Sequence, residues 1–514
     1  MAKSASKVKN YPEPYMQLRA QLKRASVLGS IGSLLGWDQE TYMPPAAAAF
    51  RAEQQAEIAA LAHERKTDKR IGELLSVCEG DESLMGDEMV RANLREIRRD
   101  FELATKVPGE LVAELARVGS QSQEAWKDAR AKSDFKAFRP WLEKMVALKR
   151  REAECLGKPA GGELYDALLD QYEPGMSARE IQEIFTPLRE RLSALIARVA
   201  ASKEKVSTRP LSAKIPAEKQ HAFGQFVLAS MGFDLQAGRL DTTTHPFCSG
   251  MAPGDTRLTT RYRDEKFTDA LYGTMHEMGH GLYEQGLPKD QFPGEPLADA
   301  ISLGIHESQS RMWENFVGRS LEFWRWALPK SKKHFGTALS GYDAKAMYRA
   351  VNTCSPSFIR VEADEGTYNL HVMLRFELER ALFSGDLAVK DLPGAWNEKF
   401  KSMFGLEVPD DRRGCLQDVH WSFGLMGYFP TYTLGNLYAA QFWEKINKDL
   451  PGLPAMIAKG EFLPLREWLL KNIHRHGRRY RAAELCKRVT GRTLSADPLM
   501  RHLEGKLGPI YKLG

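Results

Sequence analysis

The feature that most constrains the fold is a helical period of apolar residues along nearly all of the 514-residue chain. The segment Arg51–Arg65 places Ile58, Leu61 and Ala62 on one face and charged residues opposite, as an amphipathic helix does. Prolines and glycines interrupt such segments at short intervals, and no internal repeat or long linker divides them. The pattern predicts a mainly α-helical protein that forms one unit over residues 1–514.

One region departs from the helical period. Residues 240–267 are rich in threonine and alternate in polarity, and "SGMAPGD" within them has the composition of a turn. We predict a β-hairpin in which "DTTTHPF" pairs with "DTRLTTRY". This hairpin directly precedes a histidine motif, which places a small sheet beside that motif.

Composition excludes several classes of protein. Hydrophobic residues make up 43% of the chain, and 73 basic against 67 acidic residues leave a net charge of only +6, which argues against a nucleic-acid partner. No apolar run is long enough to cross a membrane, and no secretory signal begins the chain. The six cysteines form no CxxC pair, as expected in a reducing compartment. We therefore expect a soluble, cytoplasmic protein.

The histidine motif lies in "TMHEMGHGLYEQG". His276 and His280 are four residues apart, so on a helix they project from the same side and can bind one tetrahedral zinc ion. Glu277 lies beside the metal and can accept a proton from a zinc-bound water, whose pKa falls to about 7. Thr268 is the expected helix cap. The predicted buried stripe of this helix consists of Leu271, Met275, Met278 and Leu282.

A catalytic zinc site needs a third protein ligand. The second helical segment, "ISLGIHESQSRMWENF", contains Glu307, 27 positions after His280, and it can return antiparallel to the first helix. His306 is the alternative ligand. Adjacent helical residues point about 100 degrees apart, so only one of the two faces the metal.

Several motifs, taken in order, resemble the signature set of the carboxypeptidase Taq family. They are "WDQETYMPP", "HPF", "DTRLT", "HEMGH", "HESQS", "IRVEADE" and "GCLQDVHW". The motifs span nearly the whole chain. One departure is "PPAAAAF", where the family more often has glycines after the prolines.

The resemblance implies a mainly α, two-lobed metallopeptidase with a deep active-site groove and a small antiparallel β-sheet, similar to the neurolysin and angiotensin-converting-enzyme group. Residues 1–80 would form a helical lid, residues 240–267 the hairpin at the groove, and residues 268–440 the catalytic core of a single catalytic unit. The resemblance also implies one Zn²⁺ per chain, with Co²⁺ possible, and a homodimer.

The activity implied by the resemblance is a metal-dependent carboxypeptidase of broad specificity. It would release single C-terminal amino acids from peptides by attack of a zinc-bound water that Glu277 activates. The alternative on the same fold is a zinc endopeptidase or a dipeptidyl carboxypeptidase. The presence of Glu277 argues against a non-enzymatic binding protein, because a degraded site usually loses its general base first.

A carboxypeptidase must bind the free C-terminal carboxylate of its peptide substrate. Arg360 in "IRVEADE" is the candidate, since a guanidinium binds a carboxylate bidentately, and the resemblance supports this role. The alternative is a structural ion pair with one of the nearby acidic residues Glu362, Asp364 and Glu365.

Hydrolysis also needs hydrogen-bond donors for the developing oxyanion. By resemblance to related helical zinc peptidases, His420 supports the substrate or the oxyanion and Tyr432 supplies a phenolic donor. Tyr428 is the alternative donor, and packing in the core is the alternative role for each tyrosine.

The hairpin could bind the substrate backbone along its open edge. His245 and Arg257 would then face the groove and contact the substrate. The alternative for Arg257, which we favour slightly, is a structural pair with Asp255.

Overall fold

The computed structural model describes residues 11–244 and 246–513. Its helices dominate, which confirms the predicted mainly α-helical class. Before the sheet lie α1 (Glu13–Thr41), α2 (Ala48–Lys66), α3 (Lys69–Glu79), α4 (Glu82–Met85), α5 (Glu88–Lys106), α6 (Gly109–Lys132), α7 (Phe135–Leu156), α8 (Leu164–Leu169), α9 (Ala178–Ala201) and α10 (Ala217–Ser230). After it lie α11 (Phe267–Gly286), α12 (Leu303–Arg311), α13 (Leu321–Phe335), α14 (Ala344–Val351), α15 (Tyr368–Ser384), α16 (Leu392–Phe404), α17 (Pro430–Asp449), α18 (Leu453–Lys459), α19 (Leu463–Asn472), α20 (Ala482–Thr490) and α21 (Asp497–Tyr511).

Three strands form one small sheet with the order β1-β3-β2. They are β1 (Gly238–Thr242), β2 (Cys248–Ala252) and β3 (Asp255–Thr260). The β2–β3 pair is an antiparallel hairpin whose short turn contains Gly254 at φ 79°, a value that glycine adopts readily.

The structure corrects two expectations about this sheet. The first strand of the hairpin is "CSGMA", not "DTTTHPF", because the short turn pairs β3 with the residues directly before it. β1 instead joins the other edge of β3 and runs parallel to it, so the sheet is mixed and not purely antiparallel.

The apolar core has two parts. A large cluster extends from Leu111 to Tyr511 and includes the faces of α11, α12 and α17. A smaller cluster, with Tyr15 and Leu18 of α1 packed on residues of α3 and α5, lies among the N-terminal helices. The N-terminal helices therefore bury apolar surface largely among themselves.

Helix α11 carries the histidine motif. Its four predicted stripe residues are all less than 5% exposed, which confirms the predicted buried face. The helix begins at Phe267 with Lys266 at the capping position, so Thr268 lies inside the first turn and does not cap it. Helix α12 continues into a π-helical segment, Met312–Gly318. Among the helices that the structure describes, none combines the length and apolarity needed to cross a membrane.

Candidate active site

Helices α11 and α12 bring together two imidazoles and one carboxylate. One nitrogen of His276, one of His280 and one oxygen of Glu307 all lie within 4.8 Å of one another. Glu307 Oε2 is 3.6 Å from Nε2 of His276 and 3.4 Å from Nε2 of His280. The three ligand atoms converge on one point, and not every pair of them is hydrogen-bonded. This arrangement is expected around a bound cation.

The outer nitrogen of each imidazole already has a partner. Nδ1 of His276 donates to Glu314 Oε2 at 2.9 Å, and Nδ1 of His280 donates to the backbone carbonyl of His306 at 3.1 Å. These bonds favour the tautomer in which each Nε2 carries a lone pair directed into the space that it shares with the Glu307 carboxylate. Two such imidazoles and a carboxylate are the donor set of many catalytic zinc sites, so the residues present fit a divalent metal ion.

Close packing positions Glu307. A Cβ atom at Gly279 of α11 would lie 2.5 Å from the carbonyl oxygen of Gln309, so only glycine allows α12 to approach α11 this closely. A Cβ atom at Gly435 of α17 would likewise lie 2.5 Å from Cγ of Glu307, so glycine at this position leaves room for the Glu307 side chain. The alternative ligand, His306, instead bonds Glu284 through Nε2 at 2.8 Å. The geometry favours Glu307 over His306.

Two residues that the sequence analysis missed surround this cluster. Arg311 donates from Nε to Glu307 Oε1 at 2.6 Å and from Nη1 to Glu314 at 3.2 Å. Glu314 also accepts from Arg319 at 3.3 Å. Arg311 and Glu314 follow Glu307 by four and seven residues, the helical spacing that could have identified them.

Glu277 lies on α11 between the two histidines. Its side chain is buried, and burial raises its pKa to about 7, although the neighbouring His276 opposes the shift. A carboxyl group with a pKa near neutrality can accept and return a proton, which is the property that a general base requires.

Arg360 is 4% exposed, and its partner is Asp418, not one of the neighbouring acidic residues. Nε and Nη2 of Arg360 bond Asp418 Oδ1 at 3.1 and 2.9 Å, and Nη1 bonds the hydroxyl of Tyr368 at 2.8 Å. Among the contacts of the described residues, these use three of the five N–H groups of the guanidinium, so two remain for a ligand. Burial alone would raise the pKa of Asp418, but Arg360 and Arg375 hold it well below its usual range.

His420 and Tyr432 meet directly, with 3.1 Å between Nε2 and the hydroxyl. Burial lowers the pKa of His420 to about 3, so the imidazole is neutral at neutral pH. The Tyr432 ring also lies 4.8 Å from the guanidinium carbon of Arg360 and 5.3 Å from the ring of Tyr428. Both candidate phenols therefore lie in this cluster.

Arg257 bonds both carboxylate oxygens of Asp255, at 2.8 and 2.9 Å, as the structural alternative proposed. Its guanidinium carbon also lies 4.3 Å from the ring of Trp37, at the end of α1. Arg239 of β1 lies on the same ring at 5.3 Å, so the first helix is attached to the sheet. His245 lies outside the described residues.

Comparisons with known proteins identify the family to which the chain is similar. Residues 17–507 match the family model described as carboxypeptidase Taq (M32) metallopeptidase. "Thermostable carboxypeptidase 1" of Thermus thermophilus is 46% identical over 506 residues, covering 97% of this chain and 99% of that protein. "Carboxypeptidase 1" of Bacillus subtilis is 37% identical over 493 residues, covering 96% and 97%.

A solved structure shows the same fold. The M32 carboxypeptidase from Deinococcus radiodurans R1 superimposes with a TM-score of 0.93 at 41% identity, covering 98% of this chain and all of that one. The family model and the relatives extend over nearly the whole length of the chain. The chain therefore belongs to the carboxypeptidase Taq (M32) family of metallopeptidases, whose members hydrolyse peptides.

Proposed function

We propose that this metallocarboxypeptidase uses zinc to release single amino acids from peptide C-termini, with broad side-chain specificity. The observation that carries the proposal is the convergence of His276, His280 and Glu307 beside the buried Glu277. The relatives named as carboxypeptidases support the same type of reaction.

His276, His280 and Glu307 would hold one metal ion per chain, with cobalt as the alternative to zinc. A divalent ion bound there would polarise the scissile carbonyl and lower the pKa of water. Glu277 accepts the proton of the attacking water at its carboxylate and passes it to the leaving amine. The raised pKa of Glu277 supports this role, because the carboxyl group can exist in both protonation states near neutral pH.

The neighbouring polar residues would bind the substrate. If Nε2–H of His420 donates to the Tyr432 oxygen, the Tyr432 hydroxyl proton is free to donate to the developing oxyanion. Tyr428 stays the alternative donor. Arg360 would bind the free C-terminal carboxylate with the two N–H groups that Asp418 and Tyr368 do not use.

The remaining parts of the proposal concern organisation. Residues 1–80 would act as a lid, and residues 268–440 would form the catalytic core. The region 240–267 would border the groove, where His245 would face the substrate and Arg257 would support the sheet. The separate apolar cluster of the N-terminal helices supports the proposal that these helices act as a lid. We also propose a cytoplasmic homodimer, which light scattering would test against the 57.9 kDa mass of one chain.

Mass spectrometry of a peptide ladder tests the activity. The purified protein is incubated with a decapeptide, with and without a chelator, and with an amidated copy of the same peptide. We expect successive loss of single C-terminal residues, no loss with the chelator, and recovery when zinc is restored. Cleavage at internal bonds, or release of dipeptides, would instead establish the endopeptidase or dipeptidyl carboxypeptidase alternative.

A further inference from the structure

A cavity of about 430 Å³ lies where the N-terminal helices meet the start of α12. Leu103, Ala104 and Val107 at the end of α5 line one side of it. Ile301 and Leu303, at the start of α12, also line it. The cavity is therefore bounded by α5, by His63 of the proposed lid and by the start of the helix that carries Glu307.

The charged groups around this cavity are paired with one another. Arg99 bonds Asp170 at 2.7 Å, and Arg478 bonds Asp100 at 2.7 and 2.8 Å. Because these charged groups already have partners, the apolar side chains are the part of the lining that is left to contact a ligand. An apolar side chain fits such walls better than a charged one, because a charge would lose its hydration without gaining a partner.

Two structural connections join the cavity to the candidate active site. Leu303 and Glu307 are four residues apart, so they lie on the same face of α12, about 6 Å apart along its axis. Tyr172 lines the cavity, and its ring lies 5.3 Å from the ring of Tyr428. Tyr428 in turn lies 5.5 Å from the ring of His420. The cavity therefore adjoins, at Tyr172 and Leu303, the groups proposed to bind the scissile bond.

The spacing identifies which part of a peptide would reach the cavity. An extended chain advances roughly 3.3–3.6 Å per residue, so about 6 Å corresponds to about two residues. An enzyme that removes one residue at a time has a single residue beyond the scissile bond. We propose that this cavity binds an apolar side chain located two or three residues before the scissile bond. The inference rests on the proposed carboxypeptidase activity.

Kinetics with N-acetylated peptides test the proposal. One pentapeptide series carries leucine or glycine at the second or third residue before the scissile bond, and an acetylated dipeptide is too short to reach the cavity. For the wild-type enzyme we expect kcat/KM to be about tenfold or more higher with leucine, the effect of burying one such side chain.

Ala104→Phe places a ring inside the cavity and should abolish the preference for leucine. Its activity on the acetylated dipeptide should stay unchanged. Thr105→Phe is the matched control, because Thr105 is the next residue of α5, is exposed and does not line the cavity. This variant should keep the wild-type preference.

Three results would overturn the proposal. One is equal kcat/KM for the leucine and glycine pentapeptides in the wild-type enzyme. Another is an Ala104→Phe variant that keeps the preference, and the third is an equal loss on short and long peptides. Failure of the proposed function is distinguishable, since the wild-type enzyme would then release no C-terminal residue from any of these peptides.

Discussion

Glu314 should control how tightly the protein binds its metal without being a ligand itself. Its carboxylate accepts the Nδ1–H of His276 at 2.9 Å and bonds Arg311 and Arg319 at 3.2 and 3.3 Å. The bond to His276 holds the ring in the tautomer and orientation that present Nε2 to the metal. Glu314→Gln keeps the shape of the side chain but removes its negative charge.

The size of the effect follows from these contacts. Loss of an outer partner of a ligating histidine typically weakens metal binding about 10- to 100-fold. That range corresponds to about 1.4–2.8 kcal/mol of binding free energy. We expect Glu314→Gln near the lower end, because an amide oxygen can still accept from His276, and Glu314→Ala near the upper end. The alanine variant should also be less stable, since the partly buried guanidiniums of Arg311 and Arg319 lose a partner.

The assay is competition for zinc against a chromophoric chelator, which reports the dissociation constant without depending on catalysis. The matched control is Glu322→Gln on α13, which changes the net charge by the same amount and contacts only Arg325 among the salt bridges of the described residues. Circular dichroism checks that each variant is folded. Dissociation constants within twofold of wild type for both Glu314 variants would refute the reasoning.

Four further predictions concern the proposed catalytic residues. Glu277→Gln should retain the metal and the fold but lose about a hundredfold or more in kcat, and near-normal turnover would exclude it as the base. Glu307→Ala should lose zinc by elemental analysis, whereas full retention would favour His306. Arg360→Ala should no longer distinguish free from amidated peptides, and Arg360→Lys should recover only part of that preference. The Arg360→Ala variant should still fold, because Asp418 keeps Arg375 as its guanidinium partner. Log kcat/KM should fall with decreasing pH as Glu277 becomes protonated. The fall should occur at pH 7 or below, because a bound cation lowers the pKa of Glu277. A rate that does not fall on acidification would contradict this prediction.

The sheet shows where prediction from a single segment stops. The alternation in "DTTTHPF" correctly indicates extended backbone near the histidine motif, and β1 includes its first two residues. Which strands pair depends on the turn and on an edge that only becomes available once β3 is in place. The strand that pairs with β3 in the hairpin was therefore predicted wrongly, whereas the presence of a small sheet in this part of the chain was predicted correctly.

Arg360 shows the same limit of prediction from local sequence, here for the partner of a side chain. Its residue type, together with the family resemblance, predicts a ligand for carboxylates, and the sequence offers three acidic residues within five positions. The structure pairs it instead with Asp418, 58 positions further along the chain. No local pattern could identify that partner, because the contact depends on how the segment before α15 packs against the segment before α17.

The sequence by itself determined the helical class, the family and the relation between His276, Glu277 and His280. The class follows from the helical period along the chain and the family from the ordered motifs. The relation among the three residues follows from the periodicity of one helix, since backbone hydrogen bonds place residues four apart on the same side. Only the tertiary structure decided that Glu314 holds His276, that Asp418 occupies one edge of Arg360, and that a cavity opens one helical turn from Glu307. Such contacts join residues far apart in the chain, and they form only when the packing of the whole core brings their helices together.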